Sequence, residues 1–557
     1  MGQLALDSHQ GDTGRVSYDE ARADLEAWRN DYPANPFDAD AGLREGLKRY
    51  VTGPRLTELE QRARAFATDM VDVVAPAAAR FEQRLHLPEL ARFDSIGRRI
   101  EEISFDPSYH AAGTAVWKSG VVSLAKTPGT AFEQMTLLYL LSAEGEAGHA
   151  CPVTCTIGLA RALRRRASED VRALFLDALV EPDYVKAQRG AQFLTEVQGG
   201  GDVGANLCVA TPENDGTYRL SGEKWFCSVA DADQFFVTAR VGSNAGTRGL
   251  GSFVVPRTID GSPNGFSLRR LKDKLGTRGL ASGEIDFANA RAWPVGPLDE
   301  GFRTAVGIVL NTSRWMTAVG SAGLMRRANL EARNFARRRR AFGSPIQDFP
   351  VLRLTLADMA ALSEGALALV LALTDFEDRI DADVASEHDV LVHRFLVNAT
   401  KLIISQQATR VVRSSIEVLG GNGTIEEFSV LPRLYRDAIV YESWEGTHNV
   451  LAAQVLNDMR RMPLLAAIRT YVATLADDAF GAPEALARVL ADLDRCAQDA
   501  EYAAWHFRDH LETFGVLLEA LLCQAPASAH LVAGVVRPNE DLNHDELVAR
   551  VDSLVGF

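Results

Sequence analysis

The chain contains no long hydrophobic run. Its longest apolar stretches, "MTLLYLLSA" and "ALALVLALT", are too short to span a bilayer, which takes about 20 apolar residues, so they read as core helices and no membrane is expected. Cysteine is scarce: six in 557 residues, at positions 151, 155, 208, 227, 496 and 523, which excludes a disulfide framework. Cys151 and Cys155 are four apart, but no second pair completes a zinc site and His149 adds little. Buried reduced thiols in a cytoplasmic protein, and no metal, are the expectation. Positive charge is in deficit, with a net charge of −15, which disfavours nucleic acid and anionic membrane as partners on average. The opening "MGQLALDSHQGDTG" lacks a basic start followed by an apolar run, so no signal peptide is expected, and Leu6 stands where a myristoylation signal needs Ser or Thr. Internal repeats, low-complexity tracts and alternating strand–helix units are also missing, which argues against a parallel dinucleotide-binding fold.

What is present falls into five segments. Residues 1–50 read as an N-terminal extension with one short helical pattern, "YDEARADLEAWRNDY". Residues 51–189 repeat apolar positions every three or four, the period of a helical domain. From 190 to 298 the texture changes to short alternating or β-branched runs such as "YRLSGEKWFCSV", "QFFVTARV" and "GSFVVP". Clusters such as "PENDGT" and "GSPNG" separate these runs, which predicts an antiparallel β-domain of hairpins. Helical periodicity returns over 299–458, and residues 459–557 form an additional helical region. The fold class is α+β.

Four motifs can carry chemistry. In "FLTEVQGGGDVGAN" (193–206), three glycines let backbone N–H groups approach a flat or anionic ligand; a plain turn is the alternative. No Gly-Lys-Ser/Thr follows, so this is not a P-loop. In "GEKWFCSV" (222–229), Phe226 and Ser228 share one strand face, an apolar ring beside a hydroxyl that could floor a planar cofactor or simply fill a core. The run Arg337–Arg340 closes a helix; it is a solvated face, a diphosphate grip or a nucleic-acid contact. In "EVLGGNGTIEEF" (417–428), the glycines end a helix and could also let a ligand lie flat.

The order and spacing of these motifs say more than any one of them. Thr-Glu-x-x-Gly-Gly, Lys-x-Phe-x-Ser about thirty residues on, Arg-x-x-Phe-Gly after a long helix, Leu-Gly-Gly-Asn-Gly, then Arg-Asp-Ala and Trp-Glu-Gly-Thr together resemble the acyl-CoA dehydrogenase family over roughly residues 90–455. "PELARFDSIGRRIEEISFDP" (88–107), "CPVTCTIG" (151–158), Pro350 in "QDFPVL" and the extra C-terminal helical region resemble its AidB-like, alkylation-response branch.

The resemblance implies an N-terminal helical domain, a middle antiparallel β-domain and a C-terminal four-helix bundle plus the tail, assembled as a homotetramer that binds FAD near a subunit interface. It implies that Glu445 is the base that removes the α-proton of an acyl thioester while the β-hydride passes to flavin N5. Thr195, Gly200 and Gly201 would lie against the cofactor, Phe226 against the flavin ring and Ser228 near N5. Arg339 would reach the FAD diphosphate of a neighbouring subunit, Phe342 would contact the cofactor, and Gly420 and Gly421 would lie at the adenosine end of FAD. Thr447 and Asn449 would touch FAD, while Trp444 walls the base and Arg314 lies near the mouth of the site. The implied partners are an acyl-CoA or acyl-carrier thioester and, as electron acceptor, an electron-transfer flavoprotein or oxygen. A carboxylate walled by Trp444 and flavin is partly desolvated, so its pKa rises.

This chain departs from the pattern at Gly201 (commonly Ser), Glu417 (commonly Gln) and Asn311 (commonly acidic), which weighs against ordinary acyl-CoA substrates and leaves FAD binding. Two other activities stand beside the dehydrogenase. A DNA-binding alkylation-defence flavoprotein needs clustered positive charge, but residues 461–557 hold seven Arg or Lys against fifteen Asp or Glu, so DNA is not the expected partner. A flavin oxygenase is disfavoured by the presence of Glu445.

Overall fold

The computed structural model describes residues 17–475, 482–523, 525–536 and 544–555. Residues 1–16, where a targeting signal was sought, lie outside the described residues.

Three long helices, Asn311–Arg338, Pro350–Asp381 and Glu387–Leu419, form the body of the C-terminal bundle. Their limits follow from sequence chemistry. Pro350 occupies the first turn, where its missing N–H costs nothing. Ser386 and Asp389 make a reciprocal capping box, and Gly420, at φ 61°, ends the third helix. Helices Leu431–Ser443 and His448–Arg461 complete the bundle. Helix Ala131–Ala143, buried along its whole length, docks the N-terminal domain on Asn311–Arg338. Pro350–Asp381 has the length and apolarity to cross a bilayer, but 83% of its apolar window is buried inside the fold. The stretch "ALALVLALT" lies within it, so the apolar window is longer than the sequence suggested, and it serves as a core helix.

The N-terminal extension packs into the main core, where Trp28, Phe37, Leu43 and Leu47 are buried and Trp28 stacks on Phe428 at 5.1 Å. One expectation needs correction: helical periodicity does not run unbroken over 51–189, since Glu89–Phe93 and Arg99–Ser104 pair as an antiparallel hairpin. Both strands are mostly exposed and rich in charge, so neither shows the half-buried alternation that identifies a strand.

The middle domain is a seven-stranded sheet, mostly antiparallel as expected. Its first strand, Gly190–Phe193, however, lies parallel to Gln234–Arg240. Parallel neighbours need a long connection, and the forty residues between them, the Gly-rich loop and a hairpin, supply it. The first strand is also fastened to the helical domain: the Gly190 N–H donates to Thr156 Oγ1 at 2.9 Å, and a Cβ on Gly190 would sit 2.9 Å from Thr156 Cα. In the tail, helix Ala500–Leu522 packs on Glu387–Leu419, with Phe514 edge-on to Phe395 at 5.5 Å.

Candidate active site

Glu445 sits in the short turn between helices Leu431–Ser443 and His448–Arg461. Its φ is 57° and that of Gly446 is 107°. Glycine enters this left-handed region freely; a glutamate there costs about 1–2 kcal/mol and needs surroundings that hold it. Two buried cations do so. Arg314 Nε donates to the Glu445 carbonyl at 3.0 Å, and its Nη1 donates to Asn398 Oδ1 at 2.7 Å and Gln454 Oε1 at 3.0 Å. Lys401 Nζ donates to the carbonyls of Glu442, 2.9 Å, and Gly446, 2.8 Å, on either side of Glu445. The turn is therefore clamped through its backbone carbonyls, and neither cation spends a hydrogen bond on the carboxylate itself.

That carboxylate faces a cavity of about 20 Å³, room for one or two waters, walled by Leu138, Ser142, Cys151, Cys155, Met316 and Trp444. Trp444 stacks on Tyr441 at 4.6 Å, and its buried Nε1–H has no partner. The helix that brings the cysteines, Ala147–Arg166, contains Pro152. Proline cannot donate to the Gly148 carbonyl, and the Tyr109 hydroxyl donates there instead, at 3.2 Å. Burial pushes the Glu445 carboxyl above the usual carboxylate range, opposed by Arg314, by Lys401 and by a hydrogen bond from Gln192 Nε2 at 2.8 Å. Burial also lowers Lys401 to about 7 and Arg314 to about 10. A partly desolvated carboxylate beside a small, mostly apolar cavity is equipped to take a proton from carbon.

The β-domain borders this slot. Thr195 follows the first strand, and the next residue, Glu196, is buried. Glu196 accepts from the N–H groups of Leu207, 2.6 Å, and Cys208, 3.1 Å, and from Lys224 Nζ, 2.8 Å, which pins the base of the Gly-rich loop. A Cβ on Gly200 would lie 2.6 Å from Thr195 Oγ1, so only glycine lets the loop fold this closely. A Cβ on Gly201 would meet Val450 Cγ2 at 3.5 Å, placing the loop beside Thr447–Val450. Phe226 is 56% exposed, with Lys272 Nζ 4.7 Å from its ring centre, and Ser228 Oγ lies 3.1 Å from Ser282 Oγ. An open aromatic face, a hydroxyl with bonding capacity left and a side-chain-free loop fit a flat ring with polar edges. Thr447 and Asn449 are exposed, and Asn449 Oδ1 accepts from Arg508 Nη1 of the tail at 3.2 Å.

The remaining residues singled out from the sequence lie elsewhere. Arg339 ends the helix that carries Arg314, 25 residues and therefore about 37 Å further along the axis. Phe342 tips the small hairpin that follows, 99% exposed at φ 53°. Gly420 and Gly421 are exposed, about 28 Å along the helix axis from Lys401. Within one subunit these four do not meet the cavity.

Sequence reading missed Gln192, Ser313, Lys401 and the sulfur-lined wall. Lys401 had a signal: a lone lysine in the apolar "NATKLIIS" is almost never buried without a task. Gln192 had none.

Three family descriptions match the chain: "Adaptive response protein AidB N-terminal domain" over residues 30–186, "Acyl-CoA dehydrogenase, middle domain" over 191–290 and "Acyl-CoA dehydrogenase, C-terminal domain" over 299–459. The putative acyl-CoA dehydrogenase AidB of Escherichia coli (strain K12) is 36% identical over 386 residues, covering 67% of this chain and 69% of that protein. Acyl-CoA dehydrogenase family member 11 of Caenorhabditis elegans is 31% identical over 440 residues, covering 76% and 70%. Among solved structures, Caenorhabditis elegans ACDH-11 in complex with C11-CoA superposes with a TM-score of 0.82 at 26% identity, covering 94% of this chain and 91% of that one. Bd2924 in its apo form gives 0.81 at 27%, covering 90% and 98%.

Proposed function

The chain belongs to the acyl-CoA dehydrogenase family, within its AidB-like branch, and from that premise we propose that it is an FAD-dependent dehydrogenase of acyl thioesters in which Glu445 is the base. The observation that carries this is the Glu445 carboxylate, held on a clamped left-handed turn and lining a small, mostly apolar cavity, while the exposed Phe226 ring and the Ser228 hydroxyl of the β-domain offer a face for the flavin.

Phe226, Ser228, Thr195 and the Gly200–Gly201 backbone are the residues that would hold the flavin ring. When bound, FAD supplies the acceptor for the hydride that leaves the β-carbon. Glu445 takes the α-proton; the burial that raises its pKa makes it a stronger base in place. Trp444, Leu138 and Met316 wall the carboxylate off from bulk solvent, which favours the proton staying with the carboxyl. Lys401 and Arg314 fix the turn, so the carboxylate keeps its aim through the transfer. The Caenorhabditis elegans relative was crystallised with an acyl-CoA, which supports a CoA thioester as the substrate class.

The positions of Arg339, Phe342, Gly420 and Gly421, far from their own subunit's slot, support a homo-oligomer in which one copy completes the cofactor site of another; a homotetramer is the form proposed. A cytoplasmic location and electron-transfer flavoprotein or oxygen as acceptor belong to the same proposal. The acidic tail supports no DNA contact.

The test is anaerobic flavin bleaching across a series of acyl-CoA chain lengths. At least one thioester bleaches the wild type, and Glu445→Gln keeps its yellow colour but bleaches orders of magnitude more slowly. Equal rates in the two proteins would remove Glu445 from the base role.

A further inference from the structure

We propose that Gln192, fixed by Ser313, is a positioning residue that selects the working orientation of Glu445 and holds it ionised; the proposal rests on the reading of Glu445 as the base. The carboxylate hangs from a turn whose backbone is clamped but whose side chain has rotatable bonds. Among the described residues, only Gln192 donates a side-chain hydrogen bond to it, from Nε2 to Oε1 at 2.8 Å.

The amide cannot turn around without loss. A carboxylate only accepts, so Nε2 has to face it. The Ser313 hydroxyl accepts from Nε2 at 3.0 Å and lies 3.2 Å from Oε1, to which it can donate, so it holds both ends of the amide in place. The backbone is fixed too: Gln192 pairs with Phe236 in the parallel strand ladder, and Gly190, two residues earlier, is fastened to Thr156. Gln192 comes from the β-domain, Ser313 from the bundle and Glu445 from the bundle's last turn, so the contact exists only when those parts are docked.

Other titratable and charged groups face Glu445 from every neighbouring element. Arg314 and Lys401 are the cations, Cys151 and Cys155 the thiols, and Tyr441 and the Glu442–His448 pair come from the flanking helices. The two cations spend their hydrogen bonds on backbone carbonyls and amide oxygens rather than on this carboxylate. The cations therefore supply charge, and Gln192 gives the ionised side chain a direction.

The experiment uses full-length, FAD-loaded protein carrying Gln192→Met, an apolar side chain of similar length. An infrared difference titration follows the carboxyl band that Glu445→Gln abolishes. Losing one hydrogen bond to the charged form moves the midpoint up by about one to two units. The ascending limb of the pH profile for flavin bleaching moves up by a similar amount, while the dissociation constants for FAD and acyl-CoA stay within about twofold. Ser313→Ala shifts both in the same direction by less, and serves if Gln192→Met does not load FAD. A Glu445 band titrating at the wild-type pH in the FAD-loaded variant would overturn the proposal. Because the infrared titration needs no turnover, a chain that no acyl-CoA reduces would sink the dehydrogenase reading and still leave this shift measurable.

Discussion

Glu519→Gln should make the protein more stable at neutral pH, and by an amount that depends on pH in a set direction. Glu519 lies on the tail helix Ala500–Leu522 with 0% of its surface exposed, wedged against the bundle, where a Cβ on Gly365 would come within 3.0 Å of its own Cβ. Among the described residues its one side-chain partner is Gln407, whose Nε2 donates at 2.9 Å, and its Oε1 has none. Burial pushes the carboxyl up to about 8, against about 4.3 for an unfolded glutamate. A raised carboxyl pKa gives stability that is fully present below pH 4.3 and is lost as pH rises through 8.

The loss is about 1.4 kcal/mol per pH unit, so roughly 3–4 kcal/mol at pH 7 and roughly 5 across the window. Glutamine keeps the Gln407 contact and removes that cost, but it buries an N–H with no acceptor, which costs about 1–3 kcal/mol. The difference between variant and wild type should therefore be near zero or negative at pH 5. It should favour the variant by about 1–2 kcal/mol at pH 7 and by more at pH 8.5. Urea unfolding at these three pH values, with amide exchange of the tail helix followed in parallel, measures it. A difference that stays flat across the range would refute the account of Glu519 as a neutral, uncompensated buried acid.

Three further outcomes follow from the same geometry. Gly200→Ala should weaken FAD binding by roughly ten- to a hundredfold, since overpacking against Thr195 costs about 1–3 kcal/mol; fluorescence titration with FAD checks this. Lys401→Met leaves the Glu442 and Gly446 carbonyls without donors, so it should destabilise by about 2 kcal/mol in urea melts and, by removing a cation beside Glu445, raise the pH at which bleaching begins. Arg339→Ala should lower FAD retention on dilution while leaving the Glu445 cavity intact, read by sedimentation velocity with absorbance at the flavin band.

The site was only partly readable from the chain. Trp444-Glu445-Gly446 lies in a continuous motif, and the roles of Glu445 and Arg314 were legible through the family resemblance. The β-domain could be read because its strands alternate, and the hairpin at 89–104 could not, because both its faces meet solvent. Gln192 stands 253 residues from Glu445, and Gln407 stands 112 from Glu519. Such contacts are created by docking, and nothing local marks their members. The sharing of one motif set between distant ends of a helix is legible only when helix length is measured: Arg314 and Arg339 look adjacent in function and lie about 37 Å apart along the helix axis.

The left-handed backbone at position 445 separates two kinds of tolerance. Gly, Asn and Asp adopt such a conformation with the least strain, whereas Val, Ile and Thr oppose it through their branched Cβ. A saturation library at this codon sorted for soluble, folded protein should thus rank the small and amide residues above the resident glutamate. The same library sorted for turnover should collapse onto glutamate, so that the two orderings run nearly opposite at a single residue.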